Sequence, residues 1–220
     1  KAPGDERPVT RLGVVPVFER LRRELGSDFR LGILSGSLVV IPASALPALG
    51  ERAPHIGLSP SAFSTTPLPH DPAFLRFSIT GADRKRIVRL VTEVFADGAI
   101  NVLVGTAALL GEGWDAPSIN ALILASTVGS FMLSNQMRGR AIRVQAGNPR
   151  KAANIWHLVC VENEQDTTGR PLAGPDWDTM VRRFKAFAGP STKLPVIENG
   201  FGRLGLGSPP FPKEKLDGMN

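Results

Sequence analysis

Apolar residues recur at two distinct spacings along this chain. From Pro16, PVFERLRREL sets Val17, Leu21 and Leu25 at helical intervals with basic residues between them, which predicts an amphipathic helix opened by a proline at its first turn. Arg30–Leu34 reads as a strand followed by the turn residues Ser-Gly-Ser. Leu38–Ile41 is a short apolar run that suits either a second strand or the start of a helix through Pro42–Leu49. Ser59–Pro72 holds four prolines among Ser, Thr and His, the composition of a surface loop. Ala73–Thr80 alternates, with Leu75, Phe77 and Ile79 on one face and Arg76, Ser78 and Thr80 on the other, as a half-buried strand does.

Thr80-Gly-Ala-Asp83 has the spacing of a capping box. The helix expected after it turns Ile87, Val91, Val94 and Phe95 inward and Arg84, Lys85, Arg86 and Arg89 outward. Val102–Val104, Leu122–Leu124 and Ile155–Val161 are continuous apolar runs of the kind found in strands buried on both faces. A further helix is expected around Ser130–Val144. Another follows from a cap at Asp176, with Trp177, Met180, Val181 and Phe184 apolar and Arg182, Arg183 and Lys185 beside them. Helices alternating with strands predict an α/β layer fold on a largely parallel sheet. The segments are a leading stretch and helix over 1–29, a main domain over 30–188, and a Gly/Pro-rich tail over 189–220.

Composition narrows the class. An apolar fraction of 42% supports a real core, and no run nears the roughly 18 apolar residues of a membrane span. No membrane partner is expected, and the location expected is cytoplasmic. The chain opens on KAPGDERPVTRLG, with neither an apolar leader nor an initiator Met, and is expected to be a piece of a longer protein. The single cysteine, Cys160, excludes an intrachain disulfide and sits in an apolar run, so it reads as a buried structural thiol. A net charge of +6, with 19 of 26 basic residues arginine, favours a polyanionic partner, because the arginine fork matches phosphate.

Candidate chemistry gathers in Asn101–Arg143. Thr106 lies just past a strand, and Gly111-Glu112-Gly113-Trp114-Asp115 follows. Glycines there allow backbone to approach a phosphate or ribose, and Asp115 can accept from hydroxyls; a tight turn with a capping aspartate is the plainer alternative. GEGWDA formally fits a dinucleotide fingerprint, but it lies beyond its strand, Pro117 follows, and Gln136 stands where an acid belongs. On the later helix Gln136, Arg140 and Arg143 fall within about 60° of one another. Gly139 is on the adjoining edge, and Leu133, Met137, Ala141 and Val144 form an apolar stripe. Arg138 points away, toward solvent or another partner. A glycine inside a helix costs about 1 kcal/mol against alanine, so close approach is expected at Gly139. The plainer alternative is a solvated basic face, which is also the preferred reading of Arg84–Arg89. His55, His70 and His157 form no metal pattern, and Ser130 no nucleophile elbow.

Gln136-Met137-Arg138-Gly139-Arg140-Ala141-Ile142-Arg143 resembles the last signature motif of superfamily 2 helicases, Q-x-x-G-R-x-x-R. Val102–Asn120, VLVGTAALLGEGWDAPSIN, resembles the fifth motif with its extension, and its EGWD…N wording is most similar to the restriction-translocase branch among DEAD/DEAH-type proteins. Close similarity covers Asn101–Arg143; Ala73–Asp97 fits more loosely, so about half the chain is involved. The resemblance implies a second RecA-like motor domain, with three layers around a parallel sheet. It implies Arg140 and Arg143 as catalytic fingers toward ATP, with Gln136 orienting in their network. It also implies Gly113, Asp115 and Gly139 near the nucleotide, and Thr106 and Gly105 against nucleic acid, DNA more than RNA. The chain carries no G-x-x-x-x-G-K-[ST] and no acidic box after an apolar strand. ATP and Mg²⁺ are therefore expected to be held mainly by a first RecA-like domain, with nothing tightly bound here and no appreciable hydrolysis by this chain alone. The alternatives are a non-catalytic nucleic-acid-binding module that keeps the fold, and an unrelated α/β enzyme for a small molecule. Arginines engaged by local carboxylates would favour the last.

Overall fold

The computed structural model describes residues 12–214 except 27, 80–83, 112–113, 126–130, 163, 170, 192, 208 and 213. It is a mixed α/β structure dividing into two compact units, Lys1–Leu122 with Gln136–Asn154, and Ile123–Asn135 with Ile155–Asn220.

The first unit is built on a five-stranded sheet. Its strands are β1 (Leu31–Leu34), β2 (Val39–Pro42), β3 (Phe63–Leu68), β4 (Asp71–Ile79) and β5 (Val102–Gly105), in the order β3-β4-β2-β1-β5. Only β1 and β5 run parallel, with Leu31 opposite Val102 and Leu34 opposite Gly105. The other three pairings are antiparallel, so the largely parallel sheet expected from the sequence is not the one observed. The connections explain the difference. Ser35–Leu38 closes a tight turn, in which the Ser35 backbone N–H donates to the Leu38 carbonyl at 3.0 Å, and only Pro69 and His70 separate β3 from β4. Connections this short join antiparallel neighbours, whereas a parallel pair needs a long crossover. The proline-rich stretch expected as loop contains β3. As an edge strand, β3 tolerates Pro67, which removes a backbone donor.

Helices cover both faces of this sheet. On one side α1 (Val14–Glu24) buries Phe18 completely against Leu31, Ile33 and Val40. On the other, α2 (Leu46–Arg52) and α3 (Arg84–Ala96) pack Leu49, Leu90, Val91 and Val94 onto Leu34, Ile41, Leu75, Phe77 and Ile79. The alternation in β4 is observed as expected, with all three apolar residues under 9% exposed. The capping box Thr80–Asp83 lies outside the described residues. Arg89 is exposed and pairs with Glu93 one turn on, at 2.9 Å, as in a solvated helix face.

Beyond β5 come α4 (Ala107–Gly111), β6 (Ala121–Leu124), α5 (Phe131–Ala141) and β7 (Asn154–His157). β6 and β7 form a two-stranded sheet of their own. Asn154 N–H donates to Asn120 O at 2.9 Å and Leu158 N–H to Leu124 O at 3.1 Å, stepping in the same direction along both strands, as a parallel pair requires. These strands are not buried on both faces: Ile123, Trp156 and Leu158 are each about 60% exposed, and β5 is half-buried throughout. Cys160 is exposed rather than buried.

In the second unit α6 (Gly174–Lys185) buries Trp177 and Met180 against Phe211. Two short antiparallel pairs flank it in sequence, β8 (Glu164–Gln165) with β9 (Pro171–Leu172) and β10 (Ala188–Pro190) with β11 (Ile197–Asn199), and Phe211 belongs to the tail, as do β11 and the short helix α7 (Gly200–Leu204). The helix begins one turn earlier than expected, with Pro175 in its first turn, and Asp176 lies inside it instead of capping it. Arg183, expected beside the apolar face, is buried at 9% exposure, with Nη1 3.0 Å from His157 Nδ1. Among the described residues no helix is long and apolar enough to cross a membrane.

Candidate functional site

The site grows from an extended stretch after α4. Trp114 is buried, Asp115 exposed and Ala116 buried, with Ile119 buried further on. Trp114 Nε1–H donates to Thr92 Oγ1 at 2.6 Å, and the Thr92 hydroxyl donates to the Val88 carbonyl at 2.6 Å. The indole also lies against Phe95, ring centres 6.3 Å apart. A buried Trp with its N–H satisfied is a strong anchor, worth about 3–5 kcal/mol on truncation to Ala. It fixes the backbone on α3 while alternation turns the Asp115 carboxylate outward.

The arginines arrive from α5. This helix ends at Ala141, short of the expected Val144, so Arg143 lies just beyond it. Arg143 N–H closes a last turn on the Arg140 carbonyl at 3.4 Å. The backbone reverses at Gln145–Asn148, where Gly147 has a φ of 77° that a side chain would disfavour. The reversal brings back Lys151, whose ammonium donates to the carbonyls of Ala141 (2.9 Å) and Arg143 (2.7 Å). A cation on the free carbonyls of a helix C-terminus both satisfies them and opposes the helix dipole. Sequence inspection missed Lys151 because its role depends on that turn.

Arg143 Nη1 donates to Asp115 Oδ1 in an ion pair that is open to solvent, with side-chain exposures of 47% and 59%. One of the two arginines is thus engaged by a local carboxylate. Arg140 is half-buried beside them; burial, then the Arg143 charge, lowers its pKa, while Asp115 opposes this. Arg138 is also half-buried and its pKa is lowered by burial, so it does not simply point to solvent. Gln136 is exposed one turn before Arg140. A Cβ added at Gly139 would meet nothing within 4 Å among the described residues, and none of them makes the close approach expected at that glycine. The expected apolar stripe is incomplete: Met137 and Ala141 are buried, but Val144 is 87% exposed.

The structure therefore brings Asp115, Arg140 and Arg143 into one cluster from segments separated by a strand. Thr106 and Gly105 have local tasks. Gly105 pairs with Leu34 at the end of β5, and Thr106 Oγ1 accepts from Leu109 N–H at 3.4 Å at the start of α4. Gly113 lies outside the described residues. Among the described residues no three His, Cys, Asp or Glu side chains gather to hold a metal ion. A cleft of about 350 Å³ elsewhere in the first unit is flanked by Arg22 and Asp71, which pair with each other at 3.0 Å. No protein-family model, no curated protein and no solved structure matches this chain.

Proposed function

We propose that the chain is the C-terminal motor domain of an ATP-dependent nucleic-acid helicase or translocase, a RecA-like layer of superfamily 2 type. The observation that carries this reading is the convergence of Asp115 with Arg140 and Arg143. These residues belong to the two segments that resemble the family's fifth and last motifs. A sheet covered by helices on both faces, with a parallel β1–β5 pair at one edge, supports the layer architecture.

In this reading the Arg140 and Arg143 guanidiniums donate to phosphate oxygens of ATP held chiefly by a partner RecA-like domain. Water attacks the γ-phosphorus as its bond to the bridging oxygen breaks, and ADP leaves with inorganic phosphate released. Two fixed positive charges stabilise the negative charge that develops on the phosphoryl oxygens, and such fingers contribute about 10³–10⁵ in rate. Gln136, exposed on the same helix, would orient within that network. Mg²⁺ would be held by the partner domain, because the sequence carries no acidic box after an apolar strand. The charge of +6 suits a nucleic-acid track, DNA in preference.

The test is Arg140→Ala and Arg143→Ala in the protein that joins this chain to its phosphate-holding domain. Loss of ATP turnover with nucleic-acid binding retained is expected; unchanged turnover in both variants would refute the reading. The charge of +6 together with the missing phosphate-holding loop motivates a second reading, a nucleic-acid-binding module that kept the fold without catalysis. That reading expects nucleic-acid binding with no response of turnover to either arginine.

A further inference from the structure

We infer that Asp115 is a resident counter-ion for Arg143, standing where a phosphate oxygen would bind, so that an inorganic or nucleotide phosphate enters this cluster by displacing a carboxylate. The inference rests on Arg143 being a phosphate ligand; it does not depend on ATP turnover.

Three features of the cluster lead to it. Asp115 and Arg143 are 59% and 47% exposed on their side chains, so separating them strips no buried charge, and exposed pairs are weak. The backbone around Asp115 is held by Trp114, through its bond to Thr92, and by buried Ala116. Arg143 is held from its other side by Lys151 on its carbonyl. With both backbones anchored, exchange needs only the Asp115 side chain to swing away. The third feature is charge: the Asp115 carboxylate also acts on the neighbouring half-buried Arg140, whose pKa is lowered by burial and then by the Arg143 charge. A polyphosphate offers the same oxygen geometry to the arginine fork with more negative charge than a single carboxylate carries. Asp115 therefore acts as a positioning residue that holds Arg143 extended and sets a threshold for phosphate binding.

The experiment is calorimetric titration of the 220-residue chain with inorganic tripolyphosphate at low ionic strength. It is repeated for Asp115→Asn, Asp115→Ser, Arg143→Ala and the Asp115→Asn/Arg143→Ala double variant, with unfolding midpoints recorded for each. Releasing Arg143 from an exposed pair should tighten tripolyphosphate binding about two- to five-fold in both Asp115 variants. The gain should vanish when Arg143 is absent. A gain that persists without Arg143 would reflect net charge alone and would overturn the proposal. Unchanged or weakened binding in both Asp115 variants, or no binding by any of the proteins, would overturn it too. The motor reading is judged separately, by ATP turnover of the Arg143 variant in the intact protein, so either idea can fail while the other stands.

Discussion

The first unit contains two arginine–carboxylate clusters that differ in one physical respect. Where α1 meets the β3–β4 turn, Glu19 is 3% exposed on its side chain. Arg22 lies 2.9 Å from it, Arg23 3.5 Å and His70 3.4 Å, and Arg22 also reaches Asp71 at 3.0 Å. Burial pulls the Arg22 pKa down, but Glu19 and Asp71 more than offset it and the net shift is upward. At the other cluster Asp115 and Arg143 remain in water, and the neighbouring Arg140 is shifted downward. The same residue types thus serve opposite ends. Carboxylates outweigh the desolvation of Arg22, so that cluster is a structural clasp in which opposite charges answer one another. The Asp115–Arg143 pair stays in water, so an anion from outside can compete for the guanidinium.

The comparison can be broken from either side. The largest effect is expected at the open cluster: if the chain is the proposed motor domain, Arg143→Ala or Arg140→Ala in the intact protein should lower ATP turnover by about 10³–10⁵, measured with saturating nucleic acid. At the closed cluster the effect should fall on stability instead. Glu19→Ala takes from the half-buried Arg22 one of its two carboxylates and should cost about 1–3 kcal/mol in urea unfolding; a cost below about 0.5 kcal/mol would show the clasp to be superficial. A smaller, opposite change is expected from Gly139→Ala. Open space around that position should let the chain gain about 1 kcal/mol from helix propensity, seen as a raised melting temperature. If the intact motor then loses turnover, the glycine serves an approaching partner and not this fold. The smallest effect belongs to Asp115→Asn, expected within about 0.5 kcal/mol of the parent in stability, since exposed pairs contribute little.

Most of the helices and the better strands are legible from local spacing. The faces of β4 and α3 follow from Leu75, Phe77 and Ile79 and from Val91 and Val94. In α1 the spacing indicated a helix, but Phe18, absent from the expected stripe, is its fully buried residue. Part of the candidate site was equally visible: Arg140, Arg143 and Asp115 stand out by type and order. Their meeting was not, because it depends on the Trp114–Thr92 anchor, on the turn at Gln145–Asn148 and on Lys151. Arg138 and Arg183 show the same limit: a charged residue in a helical pattern reads as solvated until a neighbour covers it.

By itself the sequence determined most of the helices and the alternating strand β4, because those choices rest on residues within a turn or two of each other, but not β3, which the proline-rich stretch hid. It also determined the excess of basic over acidic residues, 26 against 20, that makes an anion the expected ligand. Tertiary structure alone decided which strands pair and in which direction. Strand pairing joins residues far apart in the chain, and two short turns, at Ser35–Leu38 and Pro69–His70, outweighed the parallel pattern suggested by alternating elements. It also decided that Asp115 meets Arg143: an ion pair across 28 residues exists only once packing has fixed both backbones.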